Sequence, residues 1–74
     1  MKNMSTNNSP LKIANNIKKI RQEKNISQDR LSKLADLSLN TVVNVESGAN
    51  PNPTIETLVK IANALGVTPD KLLK

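Results

Sequence analysis

The stretch from Ser27 to Gly48 reads Ser-Gln-Asp-Arg-Leu-Ser-Lys-Leu-Ala-Asp-Leu-Ser-Leu-Asn-Thr-Val-Val-Asn-Val-Glu-Ser-Gly and predicts two short helices joined by a tight turn. Ser27 and Ser38 are suitable N-caps, because a serine hydroxyl accepts a hydrogen bond from a free backbone N–H of the first turn. Asp36 stands where the chain must reverse, and aspartate tolerates the left-handed conformation better than most residues. Gly48 is the expected stop of the second helix. A helix pair this short cannot bury its own apolar faces, so the rest of the chain must complete a core.

Apolar residues recur at helical spacing on both sides of this pair and predict three further helices, with no strand. The first runs from Leu11, after Pro10, to Lys24 and ends at Asn25. The fourth follows the N-cap Thr54 and ends at Gly66, and a short fifth begins at Thr68-Pro69. The expected inward residues are Ile13, Ile17, Ile20, Leu31, Leu34, Ala35, Val42, Val45, Ile55, Leu58, Val59, Ile61, Ala62, Leu65, Leu72 and Leu73. The prediction is an all-α domain of five helices over residues 10–74, preceded by a disordered tail over residues 1–9.

The composition excludes several classes of function. The 74 residues are enough for one small domain, and they include no cysteine, no histidine and no aromatic residue. A disulfide framework, a thiolate metal site, a zinc finger and a histidine general base are therefore excluded. Stacking of bases on aromatic side chains is also excluded. We expect no enzyme activity, no cofactor, no metal ion and no small-molecule effector.

The net charge of +5 is unevenly distributed. Residues 1–35 carry eight basic and two acidic side chains, a net charge of +6, whereas residues 36–74 carry a net charge of −1. Such a basic half favours a polyanionic partner such as nucleic acid, although a solvated basic surface would look the same. No apolar run is long enough for a membrane span or a signal peptide, so we expect a cytoplasmic protein without membrane contact.

Several motifs occur in the order typical of one family. They are Ile26-Ser27-Gln28, Val45-Glu46-Ser47-Gly48, Pro53-Thr54-Ile55-Glu56-Thr57-Leu58 and Ile61-Ala62-Asn63-Ala64-Leu65-Gly66-Val67. Over residues 11–73 the chain resembles the phage-repressor (Cro/repressor-type, XRE) helix-turn-helix family. The resemblance implies a compact five-helix lambda-repressor-like domain, with the helix-turn-helix at helices 2 and 3 (core 27–48). It further implies a sequence-specific regulator of transcription, expected to be a repressor, that binds double-stranded DNA as a homodimer on a palindromic operator. Asp36 departs from the family, which usually has glycine there.

The outward face of the third helix is expected to consist of Leu39, Asn40, Val43 and Asn44. The resemblance gives these positions the base contacts. Asparagine can pair bidentately with adenine in the major groove, and an apolar side chain can pack on the thymine methyl group. This set therefore predicts A·T-rich half-sites. The alternative is that Leu39 and Val43 bind a protein, which would make the domain an interaction module such as an antitoxin or an assembly factor.

Other polar residues are candidates for contacts with the DNA backbone. The resemblance assigns a phosphate contact to Gln28, and the first turn of a helix also attracts phosphate. Thr41 and Ser47 are candidates either for phosphate contacts or for local caps, and Asn50 lies on a loop that follows the backbone in the family. Lys18 and Lys24 are candidates among the exposed basic residues.

A structural ion pair is expected between Arg21 and Glu46. A carboxylate at the C-terminal end of a helix opposes the helix dipole and requires compensation. The resemblance pairs Glu46 with Arg21, which would fix helix 3 against helix 1. Val59 and Leu73 are candidates for a dimer surface. The sequence leaves open the operator, the regulated genes, activation versus repression, dimerisation without DNA, and the choice among a stand-alone regulator, a restriction controller and an antitoxin.

Overall fold

The computed structural model describes residues 11–74, which form five α-helices and contain no strand. The helices are α1 (Leu11–Glu23), α2 (Gln28–Ala35), α3 (Leu39–Ser47), α4 (Ile55–Leu65) and α5 (Pro69–Leu73). The all-α prediction is confirmed, and α1 ends one residue earlier than predicted. The predicted disordered tail over residues 1–9 and Pro10, which precedes the first predicted helix, lie outside the described residues.

Three helices begin with the same hydroxyl cap, as the sequence predicts. In each case the residue before the helix is extended, and its side-chain oxygen accepts a hydrogen bond from the backbone N–H three residues later. The pairs are Ser27 with Arg30 at 3.0 Å, Ser38 with Thr41 at 3.0 Å and Thr54 with Thr57 at 3.1 Å. Each cap contributes about 1 kcal/mol of stability. The first turns of α2, α3 and α4 are therefore fixed by local hydrogen bonds.

Three helices also end in the same way. A residue with positive φ terminates the helix, and the next residue is an apolar side chain packed against the core. After α2, Asp36 has φ 58°, and the N–H of Leu37 donates to the carbonyl of Ser32 at 2.9 Å. This is the Schellman arrangement, which satisfies the free carbonyls of the last turn. In chain order, the residue with positive φ and the apolar residue after it are Asn25 and Ile26, Asp36 and Leu37, and Gly66 and Val67.

The core lies between the helices, and α3 packs against both α1 and α2. Helix α5 packs against α1 and α4, and the Asn16 side-chain amide of α1 donates to the backbone carbonyl of Leu72 at 3.0 Å. None of the helices described is long and apolar enough to cross a membrane. The buried core residues are Ile17, Leu31, Val42, Val45, Leu58, Ile61, Ala62, Leu65 and Leu72.

The inward prediction is wrong for several apolar residues. Leu34 is 47% exposed, because the buried face of α2 runs through Leu31, Ala35 and the small residue Ser32. The hydroxyl of Ser32 donates to the carbonyl of Asp29 at 2.6 Å, so the serine is buried without an unsatisfied polar group. Three further residues predicted to point inward are also exposed. They are Ile55 at the start of α4, Val59 within α4 and Leu73 at the end of α5.

Candidate nucleic-acid interface

The outward face of α3, formed by Leu39, Asn40, Val43 and Asn44, is here called the reading face. Leu39 is 44% exposed and Val43 is 37% exposed, while Asn40 is exposed and Asn44 is half-buried. The opposite face of α3 places Val42 in the core. The four side chains repeat at helical spacing, so one surface presents two amide groups and two aliphatic groups together.

The reading face carries no charge. Helix α3 contains no lysine or arginine, and its one ionisable residue is Glu46. The Glu46 side chain is only 1% exposed, so its carboxylate is not part of the reading face. The face can therefore offer hydrogen bonds and apolar contacts, but it supplies no Coulombic attraction of its own.

Arg21 of α1 and Glu46 of α3 form a bidentate ion pair. The Arg21 Nε atom lies 2.6 Å from Glu46 Oε2, and Arg21 Nη2 lies 3.0 Å from Oε1. The Arg21 side chain is 11% exposed, so the pair is largely withdrawn from water. Parallel hydrogen bonds of this kind combine charge attraction with a fixed orientation. The pair therefore holds the C-terminal end of α3 against α1 and offsets the opposing helix dipole at Glu46.

The ion pair extends into a cluster that also reaches α2. Gln28 Nε2 donates to Glu46 Oε1 at 3.0 Å, and Arg21 Nη1 donates to the carbonyl of Ile26 at 2.7 Å. Ile26 and Gln28 flank the Ser27 cap, so the start of α2 is bound to both α1 and α3. We call this set of residues (Arg21, Ile26, Gln28 and Glu46) the buried clamp. It fixes the relative orientation of the three helices that surround the turn.

The predicted phosphate contacts are placed as follows. The Gln28 side chain donates to Glu46, and the Thr41 hydroxyl lies 2.8 Å from the hydroxyl of Ser38 within the α3 cap. The Ser47 hydroxyl donates to the carbonyl of Asn44 at 3.2 Å and accepts from the N–H of Ala49. These groups have local structural partners in the protein alone, and their contacts with phosphate stay predictions.

The loop after α3 is also internally bonded. The N–H of Asn50 donates to the carbonyl of Asn44 at 3.0 Å, and the Asn50 side-chain oxygen accepts from the N–H of Asn52. Within residues 11–74, the side-chain NH₂ group of Asn50 donates no hydrogen bond. Its contact with phosphate also stays a prediction.

Positive charge lies mainly on α1 and α2 rather than on α3. Lys18 and Lys24 are exposed, and neither forms an ion pair with any described residue. Lys33 differs, because its ammonium group lies 3.0 Å from Asp29 one turn earlier on α2. Cations without an acidic partner among residues 11–74 are Lys12, Lys18, Lys19, Lys24, Arg30 and Lys71.

Comparison with known proteins decides the family. The helix-turn-helix family model matches residues 17–72, which span the whole region from the clamp arginine on α1 to α5. The chain belongs to the XRE-type helix-turn-helix family. This helix-turn-helix protein is a sequence-specific DNA-binding regulator, and its family is one of DNA-binding regulators rather than enzymes.

A solved structure supports the same assignment. This helix-turn-helix protein is similar to the restriction-modification controller protein C.AhdI from Aeromonas hydrophila, with a TM-score of 0.81 and 30% sequence identity. The match covers 85% of this chain and 94% of that chain. No curated protein sequence matches.

Two structural contacts of this helix-turn-helix protein were missed at the sequence level. The Gln28–Glu46 hydrogen bond was missed because Gln28 was assigned to phosphate alone. The sequence carries no signal for it, because the burial of the Glu46 carboxylate and its approach to Gln28 arise only in the folded chain. The Asn16–Leu72 hydrogen bond was also missed, and its signal was a polar residue at an inward position between Ile13 and Ile17.

Proposed function

We propose that this protein represses transcription by occupying its operator with α3 inserted into the major groove. The observation that carries the proposal is the reading face on a helix held by the buried clamp: two amides and two aliphatic side chains, three of them exposed and Asn44 half-buried. A recognition helix must hold its side chains at fixed positions relative to the base edges, and the clamp supports this by fixing the orientation of α3.

The chemistry of the reading face supports A·T-rich half-sites. The Asn40 and Asn44 amides match the N6 and N7 atoms of adenine, and Leu39 and Val43 match the methyl group of thymine. Bidentate recognition of guanine requires arginine or lysine, and α3 has neither. Each bidentate amide contact contributes about 1–3 kcal/mol of discrimination against the wrong base.

The attraction to the DNA backbone is supplied by other elements. Lys18 and Lys24 are exposed and unpaired within the described residues, and Gln28, Thr41, Ser47 and Asn50 are the proposed polar contacts to phosphate. Each phosphate neutralised by a basic residue makes log K fall by about 0.9 per decade of salt. Affinity and base choice should therefore respond to different substitutions.

The experiment is selection of bound duplexes from a random pool, followed by a salt titration of the best duplex. We expect an A·T-rich consensus and a salt-dependent affinity. Asn40→Ala and Asn44→Ala should relax base choice and leave the salt slope unchanged. Lys18→Ala and Lys24→Ala should lower the slope by about one unit each and leave the consensus unchanged. A G·C-rich consensus would contradict the base assignment, and a lack of selective binding would contradict the function.

A homodimer on a palindromic operator is part of the proposal. Val59 on α4 and Leu73 on α5 are exposed apolar residues that could lie at the contact between two copies. A two-fold dimer would place its α3 helices about 34–36 Å apart, one turn of duplex. Val59→Asp should weaken dimerisation in sedimentation equilibrium, and an unchanged dimer would remove Val59 from the interface.

Similarity to C.AhdI supports a role as a controller of restriction-modification genes. A regulator that occupies an operator acts where the DNA lies, so we place the protein in the cytoplasm. Expression of a reporter from the promoter beside its own gene tests the role. Reporter output should fall when the protein is supplied, and a rise would replace repression by activation.

Protein binding is the second candidate function, and the exposure of Leu39 and Val43 is the observation that favours it. An antitoxin or assembly factor would cover these side chains with an apolar surface of its partner. Leu39→Ala would then weaken binding to that protein and leave duplex affinity unchanged. A loss of duplex affinity instead supports the reading face.

A further inference from the structure

We propose that Leu39 and Val43 recognise the 5-methyl group of pyrimidines, so that 5-methylcytosine can take the place of thymine at the operator positions they contact. Binding of this protein would then respond to cytosine methylation of its site. The inference rests on the proposed function, because it places α3 in the major groove.

The two side chains form a purely hydrocarbon surface within the reading face. Leu39 is 44% exposed and Val43 is 37% exposed, and their i, i+4 spacing places them next to each other along α3. Neither side chain can donate or accept a hydrogen bond. The base edges they cover must therefore be distinguished by shape and apolar contact alone.

The major groove offers one apolar group for such a contact. That group is the C5-methyl of thymine, since the polar groups of the base edges are hydrogen-bond donors or acceptors and unmodified cytosine carries only a hydrogen atom at C5. Methylation of cytosine at C5 adds the same group at the same ring position. A side chain that senses only this methyl group cannot separate thymine from 5-methylcytosine.

No charged side chain of α3 opposes the substitution at these positions. A carboxylate would distinguish a 5-methylcytosine·guanine pair from a thymine·adenine pair by accepting a hydrogen bond from the cytosine N4 amino group. A basic residue would distinguish them by donating to guanine. Helix α3 has no basic residue, and its one carboxylate, on Glu46, is 1% exposed and bound by Arg21. Asn40 and Asn44 require adenine, which a 5-methylcytosine·guanine pair lacks. The base pairs at which 5-methylcytosine can replace thymine should therefore differ from those that the two asparagines contact.

The first experiment uses the full chain and its selected duplex. Each thymine is replaced in turn by deoxyuridine, which removes only the methyl group, and Kd is measured at fixed salt. Burial of one methyl-sized group corresponds to about a fourfold change in Kd, so about a fourfold loss is expected at positions under Leu39 or Val43. At those positions a C·G pair should bind about fourfold more tightly when the cytosine carries a 5-methyl group.

The second experiment assigns the effect to the side chains. Leu39→Ala and Val43→Ala should each bring the thymine-to-deoxyuridine Kd ratio to one at its own position. Leu34→Ala is the matched control, because Leu34 is 47% exposed but lies on α2, outside the reading face, and its ratio should stay near that of the unchanged protein. Circular dichroism checks that the variants are folded.

The outcomes separate this inference from the function beneath it. Specific binding with no deoxyuridine effect at any position overturns the methyl recognition and leaves the proposed function standing. A deoxyuridine effect that survives undiminished in both alanine variants overturns the assignment to Leu39 and Val43. Absence of specific duplex binding overturns both proposals together.

Discussion

Replacing Arg21 by methionine is the sharpest test of the buried clamp. Methionine keeps an unbranched chain of similar length and removes the guanidinium group. Three hydrogen bonds disappear, two to the Glu46 carboxylate and one to the carbonyl of Ile26. The Glu46 side chain, 1% exposed in the unchanged protein, would then keep one side-chain donor among residues 11–74, Gln28 at 3.0 Å.

The structure sets the size of the effect. Leaving a buried charge without its partner costs about 3–5 kcal/mol. A chain of 74 residues has a total unfolding free energy of roughly 4–11 kcal/mol, at 0.05–0.15 kcal/mol per residue. Arg21→Met should therefore remove a large part of the stability. The double variant Arg21→Met/Glu46→Leu should recover most of it, because an apolar pair of similar volume often matches or exceeds a buried ion pair.

Urea unfolding measures these differences, followed by far-ultraviolet circular dichroism because the chain has no aromatic residue to report fluorescence. The control is Lys33→Met, which removes the exposed α2 ion pair between Lys33 and Asp29, whose side chains are 72% and 58% exposed. That control should lose less than about 0.5 kcal/mol. The reasoning fails if Arg21→Met is as mild as the control, or if the double variant is less stable than Arg21→Met.

Three further results are expected. Asp36→Gly should raise the melting temperature and Asp36→Ala should lower it in thermal unfolding, because the left-handed backbone at φ 58° costs an ordinary residue about 1–2 kcal/mol. Ser38→Ala should lower the unfolding free energy by about 1 kcal/mol and increase amide hydrogen exchange in the first turn of α3, because the cap to that turn is lost. The pKa of Asp70 should lie below its ordinary 3.8, chiefly because the Thr68 hydroxyl donates to the carboxylate, and Thr68→Val should raise it in an NMR titration. Because folding lowers this pKa, its stabilisation is present above the unfolded pKa and is lost as pH falls through the folded pKa.

Helix boundaries were predictable because they depend on local chemistry. A hydroxyl at Ser27, Ser38 or Thr54 needs only the amide three residues later, and the sequence shows both. The reversal at Asp36 likewise depends on its own tolerance of positive φ. Such devices act within a single turn, so tertiary packing does not change them.

The orientation of α2 was not predictable in the same way. The sequence favours Leu34 as an inward residue because it is large and apolar. In the structure, however, Ser32 is buried and Leu34 is exposed. A small side chain lets neighbouring helices approach, and the bond from Ser32 to the Asp29 carbonyl removes the cost of burying a hydroxyl. Hydrophobicity alone therefore does not predict which face of α2 is buried.

The same limit applies to Gln28 in the candidate site. Its position at the start of α2 predicts a phosphate contact, while its amide in the folded chain donates to Glu46. Only the folded arrangement brings α2 and the end of α3 close enough to show that the carboxylate needs this donor. A role that depends on two helices cannot be assigned from the sequence of one.

The buried clamp has a consequence for how this protein can change its operator. Glu46 is the one charge on α3, and Arg21 neutralises it inside the fold. The orientation of the recognition helix therefore depends on side chains that are withdrawn from the reading face. Under the proposed function, a substitution at Asn40 or Leu39 changes a base contact without disturbing the clamp or the cations of α1. Base choice on this scaffold should therefore be open to substitution at little cost in stability or in attraction to the backbone.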